Sequence, residues 1–195
     1  MSYSIESLAA DCYEGTSVLI NKLDIRNEKE LNDYESFVTG FKMIYLLQQN
    51  MKPNFDFEDY KAIHRELFSD LYEWAGTTRT LNLSKQGTNF CSYEKIDDLG
   101  NRIFSRLKRL NYLVDLERDK FVCEIADLYD TINRLHPFRE GNGRTQRVFF
   151  IQLVSNAGYS LDYSAMDSDR FMIATIYASQ GVIDGLVDCF NDLIK

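Results

Sequence analysis

The string Leu135-His136-Pro137-Phe138-Arg139-Glu140-Gly141-Asn142-Gly143-Arg144-Thr145-Gln146-Arg147 restricts the possible fold more than any other stretch of this chain. A residue before proline is pushed out of helical geometry, so a helix arriving at Leu135 ends there and leaves His136 at its mouth. Beyond the glycines, Arg144 to Gly158 carries Val148, Phe149, Phe150, Ile151, Leu153 and Val154 and reads as a buried helix. The sequence therefore sets a short loop between two packed helices, the second starting near Asn142.

That loop gathers what phosphate chemistry requires. His136, one of two histidines, is a candidate base near neutral pH. Glu140 is a hard oxygen ligand of the kind Mg²⁺ accepts. Gly141, Asn142 and Gly143 let backbone N–H groups approach an anion, at the positive end of the following helix. Arg144 and Arg147 lie three apart, so a helix puts both on one face within reach of the same phosphates. The string is neither a G-x-x-x-x-G-K-[ST] loop nor a G-x-G-x-x-G fingerprint. A buried histidine before a capped helix, with solvated arginines, is the bland alternative; together the requirements read as a nucleotide site.

The string resembles the signature of the Fic family, H-x-F-x-[DE]-G-N-G-R-x-x-R, and matches it at every specified position. The resemblance implies an all-α, mainly helical fold with a small β-hairpin flap. It also implies a protein adenylyltransferase, which moves AMP from ATP onto a Tyr, Ser or Thr hydroxyl of a target protein and releases pyrophosphate. On that reading His136 is the general base and Glu140 holds the Mg²⁺ that bridges the α- and β-phosphates. Gly141, Asn142 and Gly143 take the α-phosphate, and Arg144 and Arg147 neutralise the β- and γ-phosphates. Another nucleotide or CDP-choline as donor, removal of AMP, and an inactive nucleotide-binding module remain as alternatives.

The bulk properties fit. A chain of 195 residues, 45% hydrophobic with two prolines, is expected to form one domain over 1–195, with a helical lead-in over about 1–57 and the Fic-like core over about 58–195. A net charge of −8 argues against nucleic acid as partner, and Arg102, Arg106, Lys108 and Arg109 read as the solvated face of a helix. Scattered Cys12, Cys91, Cys123 and Cys189 suggest reduced thiols. Neither a secretion signal nor a membrane-length apolar run is visible, so the expected compartment is the cytoplasm.

Along the chain, Tyr13-Glu14-Gly15-Thr16-Ser17-Val18-Leu19-Ile20-Asn21-Lys22 resembles a Y-P-G-T-x-x-L-x-N-K segment of bacterial Fic toxins and reads as a loop entering a short helix. A helix over about 28–49 is expected to bury Tyr34, Val38, Phe41 and Tyr45. Asp56 caps the next helix, whose stripe is Tyr60, Ile63, Leu67 and Leu71; His64 beside it reads as packing. Residues 80–91 read as a hairpin, following a W-A-G motif that in the family precedes an active-site flap. Its edge could pair with an extended target segment, with Lys85, Thr88 and Phe90 as contacts to ATP or target. Asn133 is expected to brace the loop and Phe138 to anchor it; the segments over 171–178 and 182–194 suggest no chemistry. The family's inhibitory [ST]-x-x-x-E-[GN] helix has no convincing counterpart here: no glutamate follows Glu140, Ser2-Tyr3-Ser4-Ile5-Glu6-Ser7 lacks the final Gly or Asn, and Ala10-Asp11-Cys12-Tyr13-Glu14-Gly15 lacks the leading hydroxyl residue. Inhibition is therefore expected from a small antitoxin, as in toxin–antitoxin Fic modules.

Overall fold

The computed structural model describes residues 11–49, 53–85 and 88–195. In chain order the helices are α1 (Glu28–Gln48), α2 (Phe57–Phe68), α3 (Ile96–Arg109), α4 (Arg118–Leu135), α5 (Asn142–Asn156), α6 (Ser168–Ser179) and α7 (Asp184–Leu193). Between α2 and α3 lies the one sheet among the described residues, strands β1 (Ser84–Lys85) and β2 (Thr88–Asn89). The fold is thus mainly helical with a small hairpin, as the string and its flanks imply.

Side-chain oxygens start several of these helices. Asn27 accepts from Glu30 N–H at 3.0 Å, Asp56 from Asp59 N–H at 2.8 Å, and Asp167 from Asp169 and Arg170 N–H. Each such cap contributes about 1 kcal/mol. The expected stripe on α4 is buried in full: Phe121, Ile125, Leu128, Ile132 and Leu135. Helix α5 is apolar on most sides, and Val148, Phe149, Phe150, Leu153 and Val154 show no exposed surface. It packs against α1, α2 and α4 and forms the centre of the molecule. Phe149 meets Tyr60 and Phe104 edge-on, with centroids at 5.3 and 5.4 Å.

Two local readings need correction. The lead-in forms no short helix: Gly15 at φ 72° turns the chain, and Cys12 bridges to Leu19 in an antiparallel pair. Asn21 organises this turn, its amide donating to the carbonyls of Leu19 and Ile25 while its oxygen accepts from Leu23 and Ile25 N–H. Helix α1 has the expected extent but the opposite orientation. It buries Leu31, Glu35, Thr39 and Leu46, and leaves Tyr34, Phe41 and Tyr45 exposed. The inward face is chosen by an ion pair described below, which an amphipathic pattern cannot register.

In the hairpin, Ser84 pairs with Asn89 and Lys85 with Thr88. The tip, residues 86–87, lies outside the described residues, as does the 2–7 segment weighed above as an inhibitory motif. On the exposed side of α3, Arg102 pairs with Asp98 and Arg106 with Glu124 and Asp127. No helix among the described residues is long and apolar enough to cross a membrane.

Candidate active site

His136 closes α4 as its C-cap, at φ 45° and ψ 61°. The left-handed conformation ends the helix and turns the chain sharply into Pro137, which keeps its predecessor out of right-handed helical geometry. The imidazole Nδ1 lies 3.2 Å from the Asn133 carbonyl oxygen. A carbonyl only accepts, so Nδ1 carries the proton and the lone pair sits on Nε2. Asn133 does brace the loop, through its main chain. From the hairpin, Phe90 stacks on the imidazole with ring centroids 3.7 Å apart.

The loop after His136 is held from inside. Phe138 is fully buried and stacks between Tyr60, at 5.6 Å, and His64, at 3.9 Å. The Asn142 side chain grips the Phe138 main chain at both ends, accepting from its N–H at 3.0 Å and donating to its carbonyl at 2.8 Å. Its amide therefore shapes the loop, and what Asn142 can offer an anion is its backbone N–H. Gly141 stands at φ 80° before α5, and a Cβ there would lie 2.3 Å from the Phe68 ring. At Gly143 a Cβ would meet nothing within 4 Å. The first N–H groups of α5 have no intrahelical acceptor and no side-chain cap from Gly141. This is a positively polarised helix end, with open space beside Gly143.

The two motif arginines do not converge. Arg144 turns toward α1, donating to Glu35 at 2.5 Å and Thr39 at 3.3 Å, over the Phe68 ring at 4.7 Å. Glu35 also accepts from the buried Tyr72 hydroxyl. That burial and the Glu35 charge hold the Tyr72 pKa far above its ordinary value, so it stays a donor. Arg147 instead lies over the Tyr163 ring at 5.7 Å. Three positions along a helix still differ by about 60° in direction, which here separates the two guanidinium groups. Glu140 stays near Arg144, at 3.6 Å, while its Oε1 accepts from Gly141 N–H at 2.9 Å.

His64 does more than fill space. Its Nδ1 accepts from Gly76 N–H at 2.8 Å, which puts the proton on Nε2, where it donates to the Glu140 carbonyl at 3.0 Å. Burial lowers its pKa to about 4. A neutral imidazole thus ties the W-A-G turn to the loop residue whose carboxylate is the candidate metal ligand.

A cavity of about 460 Å³ opens beside His136, lined also by Phe90, Asn133 and Arg147. Its far wall is α6, through Met172, Thr175, Ile176 and Ser179. Sequence reasoning assigned α6 no role, and its apolar spacing carries no signal separating a cavity wall from core. Lys85 and Thr88 sit opposite each other in the hairpin; their side chains are outside the described residues. No cluster of three or more His, Cys, Asp or Glu able to hold a metal occurs among the described residues. The single, partly exposed Glu140 carboxylate suits a Mg²⁺ whose other ligands are phosphate oxygens and water.

Helical fold and site together define a domain with a histidine on a cavity and, at the other end of the same loop, an uncapped helix start. Residues 54–154 match the model of the Fic/DOC family, and the chain belongs to that family. It is 39% identical to a probable protein adenylyltransferase of Sinorhizobium fredii, covering 87% of this chain and 88% of that protein. It is 34% identical to the protein adenylyltransferase VbhT of Bartonella schoenbuchensis over 87% of this chain, but spans only 35% of that longer protein. The solved BepC protein of Bartonella tribocorum, with bound AMPPNP, superposes with a TM-score of 0.90 at 27% identity, covering 96% of this chain and 97% of that one.

Two predictions follow from the loop. Gly141→Ala is expected to cost about 3 kcal/mol in denaturant unfolding, from a left-handed alanine and displaced Phe68. Gly143→Ala should leave stability unchanged or slightly raised yet weaken nucleotide binding about tenfold, the worth of one hydrogen bond to a charged group. For His64, the folded pKa of about 4 lies below the ordinary 6.5, so its contribution is complete above pH 6.5 and lost as pH falls toward 4. The stability gap between wild type and His64→Asn should shrink by about 3 kcal/mol between pH 7 and 4; a constant gap contradicts the assignment.

Proposed function

We propose that this chain is a Mg²⁺-dependent protein adenylyltransferase, taking AMP from ATP to a Tyr, Ser or Thr hydroxyl of a target protein and releasing pyrophosphate. The observation that carries the reading is that His136 and Arg147 line one cavity, while the loop that His136 opens ends at the uncapped start of α5. The target hydroxyl gives its proton to His136 Nε2 as its oxygen bonds to the α-phosphorus. The bond from that phosphorus to the bridging oxygen breaks, and pyrophosphate leaves. The N–H groups of Asn142, Gly143 and Arg144 receive the charge that builds on the α-phosphate oxygens, each such donor contributing about 3 kcal/mol. Glu140 would hold the Mg²⁺, which when bound offsets phosphate charge and polarises the phosphoryl oxygens.

Arg147, which lines the cavity, is our candidate for the β- and γ-phosphates. Arg144 would join it only by exchanging Glu35 for phosphate; held as it is, it orders the loop instead. The α6 wall, apolar with Thr175 and Ser179, suits the nucleoside. The hairpin covers the base through Phe90, and Lys85, Thr88 and Phe90 are our candidates for ATP and target contacts when an extended segment pairs with the strand edge.

We also propose a cytoplasmic protein controlled in trans by a small antitoxin that supplies an inhibitory helix. Support comes from α1, where Phe37, Phe41, Ile44 and Tyr45 are 77%, 70%, 58% and 51% exposed. They form a helical stripe suited to the apolar face of a partner helix.

The test is incubation of the purified chain, without partner, in a cell lysate with ATP labelled at the α-phosphate. Labelled protein bands are expected, falling roughly 1,000-fold with His136→Ala while ATP binding persists. Equal labelling by that variant contradicts the base. A chain that binds ATP yet labels nothing alone contradicts both the transferase reading and control in trans.

A further inference from the structure

Arg79, a residue neither the signature nor the cavity includes, is almost wholly buried. Its guanidinium donates to three separate parts of the chain. Nε reaches the His136 carbonyl at 2.8 Å, Nη1 the Leu81 carbonyl at 2.6 Å, and Nη2 the Cys91 carbonyl at 2.5 Å. Leu81 and Cys91 are the two feet of the hairpin, and His136 is the proposed base. Two main-chain bonds flank the fork, from Arg79 N–H to the Pro137 carbonyl at 2.8 Å and from Cys91 N–H to the Arg134 carbonyl at 2.9 Å.

We propose that Arg79 is a positioning residue that sets the hairpin and the His136 turn in one register, so that a segment paired with the strand edge meets the base. This rests on the transferase reading above. The physical case has two parts. His136 occupies a left-handed conformation that costs a non-glycine residue about 1 kcal/mol, and a charged hydrogen bond on its carbonyl offsets that cost. A two-stranded hairpin of this size is also marginal by itself, and the fork joins both of its feet to the His136 turn beside the two main-chain bonds. The same arrangement brings Phe90, adjacent to Cys91, face-on to the imidazole. Lysine cannot substitute, because a point-like ammonium cannot reproduce the fixed fork by which one guanidinium reaches three carbonyls on separate segments.

Arg79→Lys provides the test, with three readouts. A fluorescent ATP analogue should bind within about threefold of wild type, because the α5 end is built by other residues. Transfer of label from α-labelled ATP to lysate proteins should fall about 100-fold, the scale of a misplaced reacting group. Hydrogen exchange should accelerate at the amides of Phe90 and Cys91 and stay unchanged at those of Asn142 to Gln146. Retained transfer overturns the proposal, and so does loss of analogue binding in parallel with transfer. If Arg79→Lys does not fold, exchange in wild type decides. The Arg79 and Cys91 amides should then exchange as slowly as the middle of α4, and exchange as fast as an exposed loop overturns the proposal. A wild-type chain that transfers no label fails the transferase reading itself, while the exchange pattern still judges the role of Arg79.

Discussion

The site depends on one missing side chain. Gly141 lies so close to Phe68 that no Cβ fits, and this close contact sets where α5 begins and where its N–H groups point. Phe68 in turn stacks on His64 at 4.7 Å and carries Arg144 on its ring. His64 ties Gly76 to the Glu140 carbonyl. Helix α2, the W-A-G turn and the anion loop therefore converge within a few side chains. A single packing contact fixes the backbone donors that the proposed transfer would use, and such donors serve best when fixed beforehand.

Around that contact, three arginines hold the loops together, Arg79 and Arg139 buried and Arg144 half-buried. Arg139 reaches the lead-in at Asp11 at 3.1 Å, Arg144 reaches α1 at Glu35, and Arg79 reaches the hairpin. In each case one end of the contact lies in or beside the 135–147 string, and the other belongs to a distant segment. Guanidinium groups suit this work because a planar fork satisfies several acceptors in a dry interior. The hairpin, the lead-in and α1 are thereby referenced to the same short turn.

What the sequence made legible is local. Pro137 and Gly141 announce the end of α4 and the start of α5, and both fall where the residues demand. Asp56 caps α2, and the α4 stripe is buried, because caps and helical periodicity are written within a few residues. What stayed hidden is non-local. The inward face of α1 is chosen by Glu35 meeting an arginine 109 positions away, against the direction of its apolar stripe. The divergence of Arg144 from Arg147 has the same origin. His64 resembled a packing histidine because its two partners are main-chain groups, which leave no residue signature. The cavity wall on α6 is apolar and gave no sign of being hollow.

The central claim is that an anion sits on the first N–H groups of α5, beside His136. Titrating a ¹⁵N-labelled chain with AMPPNP and MgCl₂ while following its amide resonances tests this most directly. The account predicts that the largest shifts fall on Asn142, Gly143 and Arg144, with the His136 ring responding and α1 nearly silent beyond Glu35 and Thr39. Saturable binding that leaves those three amides unmoved would contradict it.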